Sequence, residues 1–509
     1  MLNSRMRGMC GNRVRCGPSR LLTDVGDASC RAVRLSSAPR RGIRIVATPS
    51  RHASIPMHRL RTTLLVALVL ASPGVRPLAA QPAVQHAVSL TLGGAARLAA
   101  DRGAGPETAR LRALQADARV RQRRAELLPS ITASAFDGER TFNSAGLGIA
   151  FADPATGRGL LDPNGQRLGP VRSWDLRGSV RQNLFDGAAL ARLRAARSAA
   201  LAGAEDATGA SQQAAAAAAT AYVRAMRADA HLGARQTDSV LAAELVGMAR
   251  DQLNAGIGIA LDVTRARAQL SLIRSQLIAA RAERERARID LVRTLGLADG
   301  TPVTLVDSLP SIGAASGPAS ANDAVARALR ARGDVRAAIE QSAAAERLVA
   351  AIRAERLPSL SLFADQGSNG KATDRLLNTY SWGIQLSVPV FDGFRREGRL
   401  DEQRAASREL DVRRREIERQ VTADIRVALL DLGAARELLE AADERLSLAE
   451  QELDQARERL RAGVAGNAEV ITASLALNSA RTQAIEARAG LLFARVALGR
   501  AQGSVSELP

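Results

Sequence analysis

From Asp392 to Arg461 the chain contains no proline, and from Ile425 through Ala428, Leu432 and Ala435 to Ala456 and Leu460 apolar residues recur at alternating intervals of three and four. That period places all of them on one stripe of a helix, large residues alternating with alanines that permit close helix approach. Roughly 70 residues at about 1.5 Å each make a rod on the order of 100 Å long. Such a rod has to pack lengthwise against others like it. The expected fold class is therefore mainly α, built on very long antiparallel coiled-coil helices.

The chain also repeats itself. Arg124-Ala-Glu-Leu-Leu-Pro-Ser130 recurs as Arg353-Ala-Glu-Arg-Leu-Pro-Ser359, Leu184-Phe-Asp-Gly187 as Val390-Phe-Asp-Gly393, and Leu253-Asn-Ala-Gly256 as Leu460-Arg-Ala-Gly463. Asp262-Val263 and Glu469-Val470 follow the last pair at equal distance. Two halves of one plan are expected, 81–300 and 321–509, joined by a Pro/Gly/Ser-rich linker at 301–320. Each half reads as a helix, two strands, a very long helix, a glycine break and a returning helix. The first long helix has the weaker seam, because Arg235 and Ser239 stand where the second has Ala442 and Leu446.

Short extended segments interrupt the helices. Trp382, Ile384, Leu386, Val388 and Val390 alternate with Gly383, Gln385, Ser387, Pro389 and Phe391, and the stretch from Trp174 to Leu184 alternates likewise. About ten residues of such alternation suit a half-buried strand or a transmembrane barrel strand. Ten of the twelve aromatic residues lie in or beside these segments, as an interfacial girdle requires, and Trp174, Phe185, Tyr380, Trp382 and Phe391 are the candidate membrane-interface rings. Loops are expected at about Asp137 to Arg172 and at Asp365 to Asn378. Gly187 and Gly393 are expected to permit the strand-to-helix turns, and Pro389, replaced by Asn183 in the first half, to make those turns differ in bend.

All three cysteines, Cys10, Cys16 and Cys30, lie in residues 1–56, a stretch with eleven arginines and two acids. A basic Met57-His-Arg-Leu-Arg61, an apolar run from Leu64 to Ala71 and a small-residue end at Leu78-Ala-Ala80 then read as a secretory signal at 57–80. Translation is expected to start at Met57, leaving 1–56 as a disordered or untranslated extension. The remainder holds 57 basic and 50 acidic residues and no cysteine. A disulfide framework, a thiolate metal site and a thiol nucleophile are then excluded. Its two histidines, His86 and His231, show no metal-ligand spacing, and no glycine-rich phosphate loop follows a strand. No catalysis and no cofactor are expected. A nucleic-acid role is disfavoured because aromatics are not interleaved with the arginines, which are mixed with nearly as many acids.

Four strands per chain cannot close a barrel alone, so a membrane role requires oligomerisation. In this order, with a signal ahead of them, the duplicated Leu-Pro-Ser stops, Phe-Asp-Gly turns and Ala-Gly tips resemble the TolC-type outer-membrane factors, the outer membrane efflux protein family. The resemblance implies a homotrimer in the outer membrane of a Gram-negative cell, twelve strands in one barrel and the helices forming a periplasmic tunnel. It implies that Ala255, Gly256, Asp262 and Val263 at one tip, and Ala462, Gly463 and Val470 at the other, face a periplasmic adaptor and an inner-membrane transporter. It further implies a periplasmic gate at Glu469, with Thr472 where a second acid is often found. Glu469 equally suits a first-turn role that solvates or caps its helix, and Asp262 is expected to cap its helix or contact the adaptor. The expected function is a passive duct for small toxic molecules. A type I protein-secretion duct and a pore-less periplasmic scaffold are the alternatives.

Overall fold

A computed structural model describes residues 87–147, 154–156, 162, 164–309 and 320–507. The proposed extension and signal, His86, Phe151 and residues 310–319 of the linker lie outside the described residues. The first half runs β1 (Val88–Leu90), α1 (Leu92–Arg102), α2 (Ala104–Ala125), β2 (Ser130–Asn143), β3 (Arg167–Phe185), α3 (Gly187–Asn254) and α4 (Ala260–Thr294). The second runs β4 (Val303–Leu305), α5 (Ala321–Ala331), α6 (Gly333–Ala354), β5 (Ser359–Gly370), β6 (Leu377–Ser387), α7 (Arg395–Arg461) and α8 (Asn467–Gln502).

The two rods are 68 and 67 residues long. The opening helix of each half is not continuous: Gly103 and Arg332 adopt extended conformations and divide it in two. β2 and β3 also reach further than their alternation indicated, so the first loop shrinks to about 144–166. β6 is shorter. It stops at Ser387, leaving Val388, Pro389 and Val390 unpaired. The two strand-to-helix passages differ accordingly. Asp186 follows β3 directly and caps α3, its Oδ1 accepting from the Ala189 N–H at 2.9 Å, whereas α7 starts only after Gly393 (φ 69°) and Phe394 (φ 62°) in left-handed conformations. Gly393 therefore serves the turn as expected of a glycine. Gly187 does not: it is the first residue of α3, with no positive φ, and a Cβ there would lie 3.0 Å from the end of the half-exposed Leu357 side chain.

The linker is also more than a linker. Its Val303–Leu305 pairs in parallel with Val88–Leu90, and this two-stranded sheet sits on the alanine-rich middle of α3, where Ala215, Ala216, Ala218 and Ala219 are buried with Ala95, Ala96 and Ala99 of α1. Tyr222, fully buried, fastens it. Its hydroxyl donates to the Leu90 carbonyl at 2.7 Å, lies 3.1 Å from Asp307 Oδ2 and accepts from the Asp307 N–H at 3.3 Å. Burial pushes this phenol well above the usual tyrosine range, so it stays protonated and keeps donating. Tyr222→Phe preserves the ring, and the Leu90 carbonyl and Asp307 Oδ2 keep the N–H groups of Val306 and Leu92, but the part-buried Asp307 N–H loses its acceptor. The change should lower stability by about 1–3 kcal/mol, measurable as a shift in denaturant midpoint.

Candidate functional site

Nearest the strands the helices lie side by side in the order α2, α3, α6, α7, and beyond them in the order α4, α3, α8, α7. The strands form one antiparallel sheet ordered β2-β3-β5-β6. Its two faces separate by chemistry. Ile131, Val180, Ala364 and Trp382 share one register line, and Thr132, Ser179, Asp365 and Ser381 the next. The apolar face is bare: Ile131, Trp382, Ile384 and Leu386 are all more than 60% exposed. On the polar face Arg177 pairs with Asp365 and, at 3.4 Å, with Asp175, and donates to Thr379 Oγ1 at 3.3 Å. No helix among the described residues is long and apolar enough to cross a membrane.

The aromatic residues divide between these faces. A bulge between Asn183 and Phe185 shifts register so that Phe185 pairs with Leu360, which brings its ring to the apolar face. Trp174 lies eleven positions away on the same strand, with Arg172 over its ring at 5.3 Å. At about 3.3 Å per residue and a tilt near 40°, that separation spans roughly 28 Å of height, close to the apolar band of an outer-membrane barrel. Tyr380 and Trp382 fall between these limits, in the middle of β6 rather than at an end. Phe391 packs edge-on against Phe394, 5.5 Å away, beside the helices. Phe136 and Phe363 belong to the polar face, folded over Gly138 and Gly383.

At the far end of the rods two turns repeat each other. Gly256 (φ 75°) and Gly463 (φ 72°) occupy the left-handed region. The N–H of Ala255 donates to Asp251 and that of Ile257 to Gln252; the N–H of Ala462 donates to Glu458 and that of Val464 to Arg459. This is the glycine-terminated helix end, in which the last carbonyls are satisfied by a reversing chain. Val263 and Val470 are buried under the turns, while Ile257 (81%), Ile259 and Val464 project into solvent. Asn467 contacts Gln252, joining the two tips of one chain. Asp262 does not cap α4: Ile259 occupies that position without a side-chain bond, and Asp262 stands in the first turn, 3.8 Å from Arg265. Glu469 likewise sits in the first turn of α8, behind Gly466 at the cap. Its Oε1 lies 3.1 Å from Nε of Arg459 on α7. The Thr472 hydroxyl donates to the Ala468 carbonyl at 2.9 Å.

Between the tips and the Tyr222 layer, α3 and α8 meet across a polar belt that sequence reasoning registered only as a weak seam. Asp238, whose side chain is fully buried, accepts from Arg235 Nη1 at 2.9 Å and from Arg481 Nη1 at 3.1 Å, and with its amide turned so that the nitrogen faces the carboxylate, Asn478 donates to Oδ1 at 2.7 Å. Arg235 also donates to Thr482. Two turns further from the tips, His231 Nε2 lies 2.8 Å from Glu486. Burial pushes the Asp238 carboxyl up from the ordinary carboxylate value, outweighing the pull of Arg481 and Arg235.

The halves differ in what covers them. His231, Asp238, Leu241, Leu245 and Met248 of α3 are buried or half-buried against α8, but their counterparts on α7, Leu438, Arg445, Leu448, Glu452 and Gln455, are all exposed. Ile471, Ser474, Asn478, Arg481 and Ile485 of α8 are similarly covered, while Thr264, Arg267, Ser271, Arg274 and Ile278 of α4 are exposed. Each edge helix thus carries half a seam.

Comparison with known proteins follows this architecture. The model of the outer membrane efflux protein family matches residues 107–297 and 324–504, both halves and most of the chain. The chain belongs to that family. It is an outer-membrane efflux channel protein of Gram-negative type, in a family of non-enzymatic transport proteins whose channels form trimers in tripartite systems. Its fold is similar to that of a membrane protein from Pseudomonas aeruginosa (20% identity, TM-score 0.69, 81% of this chain and 92% of the other). The VceC outer membrane protein of Vibrio cholerae (19%, 0.68, 81% and 96%) and the CmeC outer membrane channel of Campylobacter jejuni (18%, 0.68, 81% and 85%) are also similar. No curated protein sequence matches. At these identities the structures speak for the fold, and the two-part family match carries the membership.

Proposed function

We propose that this efflux family member acts as a homotrimeric exit duct for small toxic molecules, passive itself and served by an inner-membrane pump through a periplasmic adaptor. One observation carries the reading. Both layers of the molecule end in a first-half element on one edge and a second-half element on the other: β2 and β6 in the sheet, α4 and α7 in the helices. Free strand edges invite pairing, and a head-to-tail contact between unlike edges closes into a ring when the rotation per subunit is a whole fraction of a turn. Duplication supplies the complementary half-seams, and the bare apolar face supplies the lipid contact. A pore-less scaffold has no use for that face. The test is to purify the protein in detergent and to assay a deletion strain. Trimers that resist dissociation until heated, with hypersensitivity to several toxic compounds, are expected; a monomer soluble without detergent would refute the duct, and sensitivity restricted to loss of one secreted protein would favour protein export.

Within the duct we assign the tips, through exposed Ile257, Ile259 and Val464, to contact with the adaptor or pump, and Glu469 to the periplasmic entrance. The Arg459 contact makes that entrance a collar of ion pairs rather than of bare carboxylates. In planar bilayers Glu469→Gln should move ion selectivity toward anions, by freeing Arg459, and Arg459→Gln toward cations. Equal, unchanged selectivity in both variants would remove the pair from the conduction path.

A further inference from the structure

The seam within a chain and the seam between chains use the same positions but different chemistry. An offset of 207 residues relates Gly256 to Gly463 and Asp262 to Glu469, and it maps the Asp238 belt onto the two uncovered edges. Arg235 becomes Ala442 and Asp238 becomes Arg445 on α7; Asn478, Arg481 and Thr482 become Ser271, Arg274 and Ser275 on α4. When α7 of one chain meets α4 of the next as α3 meets α8, Arg445 faces the partner subunit's Arg274, flanked by the partner subunit's Ser271 and Ser275. The carboxylate that holds the inner seam together has been exchanged for a second guanidinium. Arg274 and Arg445 are both exposed, and neither joins an ion pair among the described residues. Two turns nearer the tips, Glu452 and Arg267 correspond to Leu245 and Ser474. That carboxylate already has an arginine opposite it across the same seam.

We propose that each subunit seam holds an oxyanion-binding site, in which a phosphate- or sulfate-like dianion bridges Arg445 and the partner subunit's Arg274 in the place that the Asp238 carboxylate fills within a chain. The proposal rests on the trimeric reading, because one chain supplies only half of the site. Guanidinium groups match tetrahedral oxyanions with paired N–H donors, and the serine hydroxyls add further donors. Two facing arginines without such a ligand repel each other; with it they join the subunits, so binding and assembly are linked. The ligand is a soluble anion rather than a lipid headgroup: about 50 residues of α7 separate Arg445 from its strand-proximal start, roughly 75 Å of helix.

The experiment uses the full chain purified in detergent and follows the temperature at which trimers dissociate, with sodium phosphate or sodium sulfate titrated against sodium chloride at matched ionic strength. Phosphate and sulfate should raise that temperature by several degrees and chloride should not. Arg445→Ala and Arg274→Ala, both at exposed positions, should abolish the rise while leaving the helical circular dichroism of the protein unchanged. Arg445→Asp should give trimers that are stable without phosphate, because it restores to the outer seam the pairing found around Asp238. An equal response to all three salts, or a phosphate response that survives in Arg445→Ala, overturns the site while the trimer stands. A wild-type protein that forms no trimer in any of the salts overturns the assembly reading, and the site with it.

Discussion

Asp238→Ala should destabilise each subunit by about 3–5 kcal/mol, the cost of removing one member of a buried ionic group and leaving the others without compensation. Arg235 and Arg481 both depend on this carboxylate, and Arg481 is only 25% exposed as a side chain, so neither can turn fully to water. The loss should fall on the α3/α8 contact, since the apolar clusters on either side, around Tyr222 and around Leu241, Leu245 and Leu477, remain intact. Asp238→Asn keeps an acceptor and the side-chain volume and should cost less. Thermal unfolding of both variants, read beside the yield of folded protein in membranes, checks the order. Wild-type stability in Asp238→Ala would show that the belt contributes nothing and that the seam rests on its apolar layers.

This belt marks the limit of what the amino-acid order reveals. The stripe from Ile425 to Leu460 is local information: a helix is determined by residues three and four apart, so α7 could be drawn to within a turn of its ends. The same holds for the glycine tips, where φ near +70° needs a residue without a Cβ, and for the faces of β3 and β6, which follow from a period of two. Partner choice is different. Asp238 and Arg481 stand 243 positions apart, and nothing local in either helix names the other. The trace was Arg235, with Ser239, on the stripe where the second rod has Ala442 and Leu446, which announced a polar neighbour without identifying it. The register of β3 against β5 was hidden for a related reason. Strict alternation over the odd number of positions from Trp174 to Phe185 would put the two rings on opposite faces, and it is the bulge at Asn183 that brings Phe185 to the face of Trp174. At the entrance, Glu469 could be placed in the first turn of its helix from sequence. Its ion pair with Arg459 depends on how the turn between them closes.

The assignment of the sheet's faces has the sharper consequence for the membrane. Ile384 and Gln385 are neighbours on β6 whose side chains point to opposite faces. Ile384 pairs with Leu362 on the face that also carries Trp382 and Leu386, and is 61% exposed. Gln385 pairs with Ser361 on the face of Asp365 and Ser381. An arginine on the lipid face near the bilayer midplane costs about 2–4 kcal/mol. Ile384 lies two register steps from the Phe185 limit and eight from the Trp174 limit, through its partner Leu362, so it sits toward one side of the band, where the cost falls to roughly 1–2 kcal/mol. Three chains bear it three times, so Ile384→Arg should lose on the order of 3–6 kcal/mol and assemble poorly in the outer membrane. Gln385→Arg adds the same charge one residue away but on the polar face; it should insert normally and change only conductance. Fractionating cells that express each variant and probing for heat-resistant trimers separates the two. Equal insertion of both would mean that the apolar face does not meet lipid, and the membrane role assigned to these four strands would fall with it.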